Sequence, residues 1–208
     1  MDSPLPRAFY IKDAVSVARD LLGKKLVHLD AVGETSGLIV ETEAYAGRGD
    51  AACHSYKRSA QSGPFETHRT DVMFGPGGYA YVYLIYGMYN CFNVVVNVPD
   101  EPEAVLIRAL EPCEGISFMK ERRNTRDVKN LCSGPGKLCM ALGISRAHYG
   151  ADICAPGALF IAAGEPVSED RILATPRINV DYAGEAALLP YRFVLRDSGF
   201  LSTKSFVA

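Results

Sequence analysis

Two glutamates and a tyrosine alternate near the end of one apolar segment, GLIVETEAY. Side chains of a β-strand point alternately to its two faces, so Glu41, Glu43 and Tyr45 should share one face with Ile39. Two carboxylates beside a phenol, at the point where a strand enters a long loop, suit the rim of a chemical site. The same alternation is also typical of a strand with one face in solvent. The spacing alone leaves both interpretations open.

A second candidate region is the tyrosine-rich stretch YAYVYLIYGMYN, which begins at Tyr79. Alternation places Tyr79, Tyr81 and Tyr83 on one face of a strand, where cross-strand packing would explain them. Packing explains Tyr86 and Met88 poorly, because bulky side chains at the tip of a hairpin would project into water. An exposed aromatic tip indicates a surface that inserts into a partner.

Metal and nucleotide sites are not predicted. The six cysteines are scattered without a C-x-x-C pair, which favours buried free thiols over zinc ligands or disulfides. The segment SGPGK, residues 133–137, lacks the spacing of a nucleotide-binding P-loop, although amides at a helix start could hold one phosphate. We therefore expect no cofactor and no metal.

The bulk composition is that of an ordinary globular protein. The chain has 208 residues, of which 48% are hydrophobic and 22% charged, so we expect one domain covering residues 1–208. The net charge of −2 neither requires nor excludes a nucleic-acid partner, and the basic run at residues 120–129 also fits a solvated helix face. No apolar run reaches the roughly 18 residues of a membrane span. The N-terminus lacks a secretory pattern, so a cytoplasmic location is expected.

The predicted elements come in runs of strands with helices between them. Helical periodicity and caps predict helices in DAVSVARDLLG, EGISFMKERRN and GKLCMALGI. Strands are predicted in KKLVHLD, GLIVETEAY, the two arms of the tyrosine-rich hairpin, EAVLIRAL, ALFIAAGE and PYRFVLRD. Residues 46–70 are predicted to form a loop. This order favours an α+β fold with a mainly antiparallel sheet.

Several segments in this order resemble one family. They are LIVETEAYAG, ACHS, MFGPGGYAYVYLIYGMYNCFNVV, AVLIRALEP, LCSGPGKLCMALGI and YAGE before RFVLRDS. They are similar to the alkyladenine (3-methyladenine) DNA glycosylases, in a bacterial-type form, and the match runs from LPRAFY to SGF. The resemblance implies a single α+β domain with a curved, mainly antiparallel sheet, flanking helices and a protruding hairpin that enters the minor groove of DNA.

The resemblance also implies roles for individual residues. Glu43 would be the general base that activates a water, and Arg108 would lie beside that water and the phosphate of the target nucleotide. Tyr86 would fill the gap that a flipped base leaves in the duplex. The groups that line the base pocket would be Tyr45, His54, Tyr83 and Asn93.

The implied activity is the hydrolytic release of damaged purines. The substrates would be 3-methyladenine, 7-methylguanine, ethenoadenine and hypoxanthine in double-stranded DNA. The partner would be that DNA rather than a membrane. The protein would act as a monomer in the cytosol and nucleoid. Candidate contacts to the DNA backbone are Lys120, Arg122, Arg123 and Lys137.

Two features of the chain leave questions open. Glu41 rivals Glu43 because both should face the same way, and Glu43 is preferred for the family pattern E-x-Y and its position nearer the loop. The loop between His54 and Met73 has an uncertain register, and many relatives read Thr-Pro-Arg-Asn where this chain has THRT from Thr67 onward. These differences affect the DNA contacts expected of that loop.

Two other functions fit parts of the pattern. A noncatalytic sensor of damaged bases would need the aromatic pocket but not Glu43. A hydrolase of soluble nucleosides would need neither Tyr86 at the hairpin tip nor the basic helix. Binding to duplex DNA separates the second of these from the other functions.

Overall fold

The computed structural model describes residues 2–58 and 68–203. Its strands are β1 (Lys25–Asp30), β2 (Gly33–Tyr45), β3 (Ala80–Ile85), β4 (Tyr89–Val96), β5 (Glu103–Pro112), β6 (Leu159–Ala162), β7 (Ile172–Thr175) and β8 (Arg192–Leu195). Its α-helices are α1 (Ala14–Asp20), α2 (Ile116–Arg123) and α3 (Pro135–Leu142), and short 3-10 turns connect several elements. In the described ranges, no helix has both the length and the apolar character to cross a membrane.

The strands form one sheet in which all the strand pairs are antiparallel, which confirms the predicted α+β class. The main path runs β3-β4-β5-β2-β1-β6, and the pair β7–β8 branches from β2. β2 is long enough to pair with β5 along one edge and with β1 and then β8 along the other. The strand that carries both glutamates is therefore the centre of the sheet.

A β-bulge changes the direction of side chains along β2. The register with β5 shifts between Ile39 and Glu41 and again before Thr42, so that Val40 and Arg108 both fall where pairing is irregular. Ile39 and Val40 both lie in the hydrophobic core, which simple alternation does not allow. The interpretation of this strand as solvent-facing is wrong, because Glu41 and Glu43 are completely buried.

The helices cover one face of the sheet. Asp13 caps α1 by accepting a hydrogen bond from the backbone N–H of Ser16 at 2.9 Å, as its position predicted. Core residues of α2 and α3, such as Met119 and Leu138, pack with Phe92 of β4 in the main hydrophobic cluster. The alternate residues of β3, β4 and β5 therefore point to the opposite face. A second hydrophobic cluster lies there, and it includes Tyr81 and Val95.

Two parts of the sheet differ from the expectations. β2 begins at Gly33, well before the predicted apolar segment. β7 was not predicted, since Ile172–Thr175 is short and has no clear alternation; it forms by pairing with β8. Both additions arise from strand pairing, which local pattern does not record.

A pair of histidines joins β1 to the turn that follows α3. His28 Nδ1 lies 2.6 Å from the carbonyl oxygen of Leu142, so this nitrogen carries the proton. Its Nε2 lies 3.0 Å from Nε2 of His148, whose Nδ1 accepts from the backbone N–H of Ser145 at 3.1 Å. With Nδ1 as the donor, Nε2 of a neutral His28 accepts from His148, and the turn continues into Tyr149, which packs on Tyr81.

The pair predicts a stability that falls in mild acid. Burial, opposed by the Leu142 carbonyl but reinforced by His148, lowers the pKa of His28 below 6.5. The unfolded chain takes up a proton near pH 6.5 that the folded protein excludes. The free energy of unfolding is therefore greatest above pH 6.5 and decreases as the pH falls toward the pKa of His28 in the folded protein. Urea unfolding of wild type and His28→Asn at several pH values measures this. We expect a weaker pH dependence in the variant, and equal slopes below pH 6.5 would contradict it.

Candidate functional site

A cavity of about 530 Å³ opens on the face of the sheet opposite the main core. This volume lies within the range of roughly 300–1,000 Å³ that is typical of sites for one small ligand. Its floor is formed by residues of β4 and β5 that point away from the helices. These residues are Cys91, Asn93, Ala104, Leu106 and Arg108.

Aromatic side chains form one wall of the cavity. The ring centres of Tyr81 and Tyr83 are 5.3 Å apart, and the His54 ring stands nearly perpendicular to Tyr83 at 4.8 Å. The Tyr81 hydroxyl lies 2.8 Å from Nδ1 of His54. Burial, with the nearby Arg69 and His68, lowers the pKa of His54 to about 4, so its imidazole is neutral at pH 7.

Tyr45 lines the cavity from the β2 side. Tyr45 and Tyr83 do not come from neighbouring strands, because β4 and β5 lie between β2 and β3. Three interstrand spacings separate the two backbones by roughly 14 Å, and both rings line the cavity. The guanidinium of Arg177 lies 5.0 Å from the centre of the Tyr45 ring.

The carboxylate of Glu43 lies directly behind the cavity wall and is completely buried. Its Oε2 accepts from the Tyr45 hydroxyl at 2.9 Å and from Nη1 of Arg108 at 3.2 Å. Its Oε1 accepts from the backbone N–H of Ile178 at 2.8 Å. Tyr45, Arg108 and Ile178 all line the cavity, so Glu43 contacts three groups of its wall. A carboxylate oxygen offers about two acceptor positions, so Oε1 can accept one more hydrogen bond.

Glu41 has a different environment, although it lies two positions away on the same strand. Its Oε1 accepts from Nε of Arg108, Nε of Arg192 and the Ser202 hydroxyl, at 3.0, 2.8 and 2.7 Å. Its Oε2 accepts from the backbone N–H of Ser202 at 2.7 Å. Burial alone would raise the pKa of Glu41, but the two arginines and Ser202 outweigh it and lower the pKa. This carboxylate is ionised, accepts four hydrogen bonds and is not among the residues that line the cavity.

Arg108 connects the two glutamates. It is 8% exposed, and its Nε and Nη1 donate to Glu41 and Glu43 respectively. Burial opposes its charge, but Glu43 and Glu41 raise the pKa of Arg108 above its usual value. The cavity therefore has a permanent cation in its floor, held by two buried carboxylates.

The orientation of Asn93 in the floor is set by the backbone. Its side-chain amide nitrogen donates to the carbonyl oxygens of Tyr81 at 3.0 Å and Cys91 at 3.5 Å. These two bonds identify the nitrogen and thus direct the amide oxygen elsewhere. Asn93 and the aromatic pocket residues predicted with it all line this one cavity.

The hairpin between β3 and β4 stands at the cavity mouth. Tyr86 is 75% exposed and Met88 is 65% exposed. Tyr86 has a φ of +54°, a left-handed conformation that is uncommon for a bulky residue, and Gly87 follows at +71°. The turn thus presents a tyrosine to solvent in a conformation that costs free energy locally, an arrangement found at functional sites.

The four predicted backbone contacts occupy different positions. Lys137 lies in the first turn of α3, whose residues Pro135 and Gly136 line the cavity mouth, and its amine contacts Asn130 at 2.5 Å. Arg122 forms an ion pair with Asp30 at 2.5 Å and bonds the Ala141 carbonyl, at the other end of α3. Arg123 donates to the carbonyls of Leu131 and Asn130, and Lys120 lies on the same helix, α2.

Sequence reasoning missed the segment from Arg177 to Tyr182. Arg177 pairs with Asp50 through two hydrogen bonds at 2.5 and 2.8 Å, and both side chains are buried. This pair joins the segment to the start of the loop after β2 and brings the Ile178 amide to Glu43. Only a lone arginine after a proline marked the segment in the sequence, because its partner lies 127 positions away.

The loop where this chain differs from many relatives is described only in part. Thr67 lies outside the described residues. His68 Nδ1 and the Thr70 hydroxyl are 2.9 Å apart, and the guanidinium of Arg69 lies 5.8 Å from the Tyr83 ring centre. The DNA contacts expected of this loop stay a prediction.

The buried position of His54 leads to a pH prediction. An ordinary histidine titrates near pH 6.5, whereas the pKa of His54 is lowered to about 4 by burial and by Arg69 and His68. Side-chain NMR signals of His54, assigned with His54→Gln, should therefore not move between pH 8 and about pH 5.5. A midpoint near 6.5 would show that the imidazole is solvated and that this wall is open.

Comparison with known proteins places the chain in a family. The family model for methylpurine-DNA glycosylase (MPG) matches residues 8–199. A protein of Methanocella arvoryzae is 50% identical over 202 residues, which cover 97% of this chain and 96% of that protein. Proteins of Alkaliphilus oremlandii and Bacillus cereus (strain Q1) are 47% and 48% identical over 208 residues, with 96% of this chain and 99% and 98% of theirs covered. All three are named "Putative 3-methyladenine DNA glycosylase".

A match of this extent, over an aromatic cavity with a buried carboxylate, shows that the chain belongs to the methylpurine-DNA glycosylase family.

Proposed function

We propose that the protein is a monofunctional DNA glycosylase that hydrolyses the N-glycosidic bond of alkylated or deaminated purines flipped out of duplex DNA. The observation that carries this proposal is the buried carboxylate of Glu43, held against the wall of an aromatic cavity whose mouth lies beside an exposed tyrosine. The proposed substrates are 3-methyladenine, 7-methylguanine, ethenoadenine and hypoxanthine. A monomeric state and a cytoplasmic location remain predictions from the sequence.

Extrusion of the base is the first requirement. A base inside a duplex cannot reach a buried carboxylate, and unstacking it costs a few kcal/mol. Tyr86 is exposed, aromatic and adjacent to the cavity, so it can enter the minor groove and occupy the vacated position. Met88 extends the same exposed tip.

The cavity then holds the base by its faces. Tyr45 and Tyr83 lie on opposite sides of the floor, and stacking on an aromatic ring contributes roughly 1–3 kcal/mol per base. An alkylated purine such as 3-methyladenine is cationic, and electron-rich rings attract cations. Neutral His54 adds no charge that would repel it.

Hydrolysis requires one water and one base. The water oxygen bonds to C1′ of the deoxyribose as the bond from C1′ to the purine nitrogen breaks, and the bonding electrons leave with the purine. Glu43 accepts the proton of the water through the remaining acceptor position of Oε1 and stabilises the positive charge that develops on the sugar. Because Glu43 is completely buried, this step requires the wall formed by Ile178 and Tyr45 to open enough to admit the water from the cavity side.

Arg108 has two proposed functions. Its Nη1 donates to Oε2 of Glu43 and so fixes the position of this carboxylate, and the same guanidinium lies in the cavity floor, where it can meet the phosphate of the target nucleotide. Among the proposed backbone contacts, Lys137 lies nearest to the mouth through its place in the first turn of α3. Lys120, Arg122 and Arg123 stay predictions, and the guanidinium of Arg122 has internal partners in Asp30 and Ala141.

The first test replaces each glutamate in turn. With a duplex carrying one ethenoadenine or hypoxanthine, Glu43→Gln should lower the single-turnover rate of base release by about 100-fold or more, because general-base catalysis contributes roughly 10²–10⁴. Its affinity for the lesion duplex should remain within a few-fold of wild type. Glu41→Gln should lower the melting temperature and retain measurable release.

The outcomes separate the candidate functions. Loss of release only in Glu41→Gln would overturn the assignment of Glu43. Tight binding of the lesion duplex without release by wild type would indicate a noncatalytic sensor, and the absence of both would indicate a small-molecule substrate.

The second test concerns Tyr86. Its side chain is exposed, so Tyr86→Ser should leave the melting temperature unchanged and reduce release from duplex DNA by about tenfold, equivalent to losing about 1.4 kcal/mol of stacking. Leu188→Ser is the matched control, since Leu188 is 76% exposed and does not line the cavity. Equal rates for the two variants would remove Tyr86 from the mechanism.

A further inference from the structure

We propose that Ser202 is a positioning residue for the reaction, because it fixes Arg108 in the orientation that holds Glu43. The inference rests on the proposed function, since it concerns a step at the same site. It is carried by hydrogen bonds that join Arg108, in the cavity floor, to buried Glu41 and half-buried Ser202 behind it.

Each nitrogen of the Arg108 guanidinium has its own acceptor. Nε donates to Glu41 at 3.0 Å, Nη1 to Glu43 at 3.2 Å and Nη2 to the Ser202 hydroxyl at 3.3 Å. A planar guanidinium with three acceptors around its edge cannot rotate in its plane without losing all three. Ser202 supplies the only one of these three acceptors that does not belong to a glutamate.

Ser202 also holds the glutamate that anchors Arg108. Its hydroxyl donates to Oε1 of Glu41 at 2.7 Å, and its backbone N–H donates to Oε2 at 2.7 Å. The hydroxyl thus accepts from Arg108 and donates to Glu41 at the same time, which closes a ring of hydrogen bonds. In a low-dielectric interior such a ring orders its members more strongly than separate pairs would.

Removal of the Ser202 hydroxyl should make the Arg108 side chain more mobile without disrupting the other contacts of Glu41. In Ser202→Ala the backbone bond to Glu41 remains, and Arg192 still donates to Glu41 at 2.8 Å. Arg108 loses its Nη2 acceptor and can turn away from Glu43. The expected consequence is a slower chemical step with an unchanged cavity.

The structure offers a matched control on the other side of the cluster. The Thr175 hydroxyl accepts from Nη1 of Arg192 at 3.3 Å, and Nε of Arg192 donates to Glu41 at 2.8 Å. Thr175→Val therefore removes one hydroxyl from the same buried network without touching Arg108. A purely structural role for Ser202 predicts equal effects of the two substitutions.

The experiment measures single-turnover release and lesion-duplex affinity for wild type, Ser202→Ala, Ser202→Thr and Thr175→Val. We expect Ser202→Ala to slow release by about tenfold, since a hydrogen bond to a charged group is lost, with affinity unchanged within about twofold. Ser202→Thr should restore most of the rate, and Thr175→Val should stay within about twofold of wild type. Equal rates for wild type and Ser202→Ala, or equal losses in Ser202→Ala and Thr175→Val, would overturn the inference.

A readout independent of activity separates this inference from the proposed function. The Nε–H NMR signal of Arg108, assigned with Arg108→Lys, should exchange with water faster in Ser202→Ala but not in Thr175→Val. If wild type released no base, the proposed reaction would fail, and this exchange rate would still decide whether Ser202 orders Arg108. An unchanged rate in Ser202→Ala would overturn the positioning role.

Discussion

The structure of the site depends on one buried interaction, the contact of Arg108 with both Glu41 and Glu43. Two unpaired carboxylates on one strand in the interior would each be strongly destabilised, because burial penalises charge. Arg108 and Arg192 pair with them, so the cluster contains two guanidinium groups and two carboxyl groups among residues that are 8% exposed or less. These pairs offset the cost of burying two carboxyl groups beside an aromatic cavity. Removing one member would leave an uncompensated charge, which is costlier than the pair itself.

The sheet places this cluster where it can serve the cavity. The bulge in β2 brings Arg108 to an irregular position opposite the glutamates, and the pairing of β2 with both β5 and β8 brings the two arginines to the same strand. A regular central strand would send alternate residues into the helix-covered core. Here the apolar positions Ile39 and Val40 enter the core, while the carboxylates meet cations.

The two glutamates show how neighbouring groups of one type acquire different roles. Glu41 is surrounded by four donors and lies away from the cavity, which suits an anchor. Glu43 has donors from Tyr45, Arg108 and Ile178, all of them cavity residues, and its Oε1 can accept one further bond. The two side chains are chemically identical, so the difference comes from the hydrogen-bond donors that neighbouring strands and loops place around each of them.

The sequence by itself determined the elements that depend on local pattern. Alternation, caps and turn residues were enough to predict the helices, the tyrosine hairpin and the antiparallel class. The position of an exposed aromatic at the tip followed from the same reasoning, because a bulky residue in a tight turn has nowhere to be buried. Family resemblance added the pocket residues, and the structure brings Tyr45, His54, Tyr83 and Asn93 to one cavity.

Only the tertiary structure decided the contacts between distant segments. The bulge in β2, the two strands between Tyr45 and Tyr83 and the Arg177–Asp50 pair all depend on pairing across the chain. The environment that distinguishes Glu41 from Glu43 also depends on a distant residue, because Ser202, which donates to Glu41, lies 161 positions along the chain. Local sequence records which face a side chain prefers. The identity of its charged partner is set by the register of strands, because a shift of one residue exchanges every neighbour.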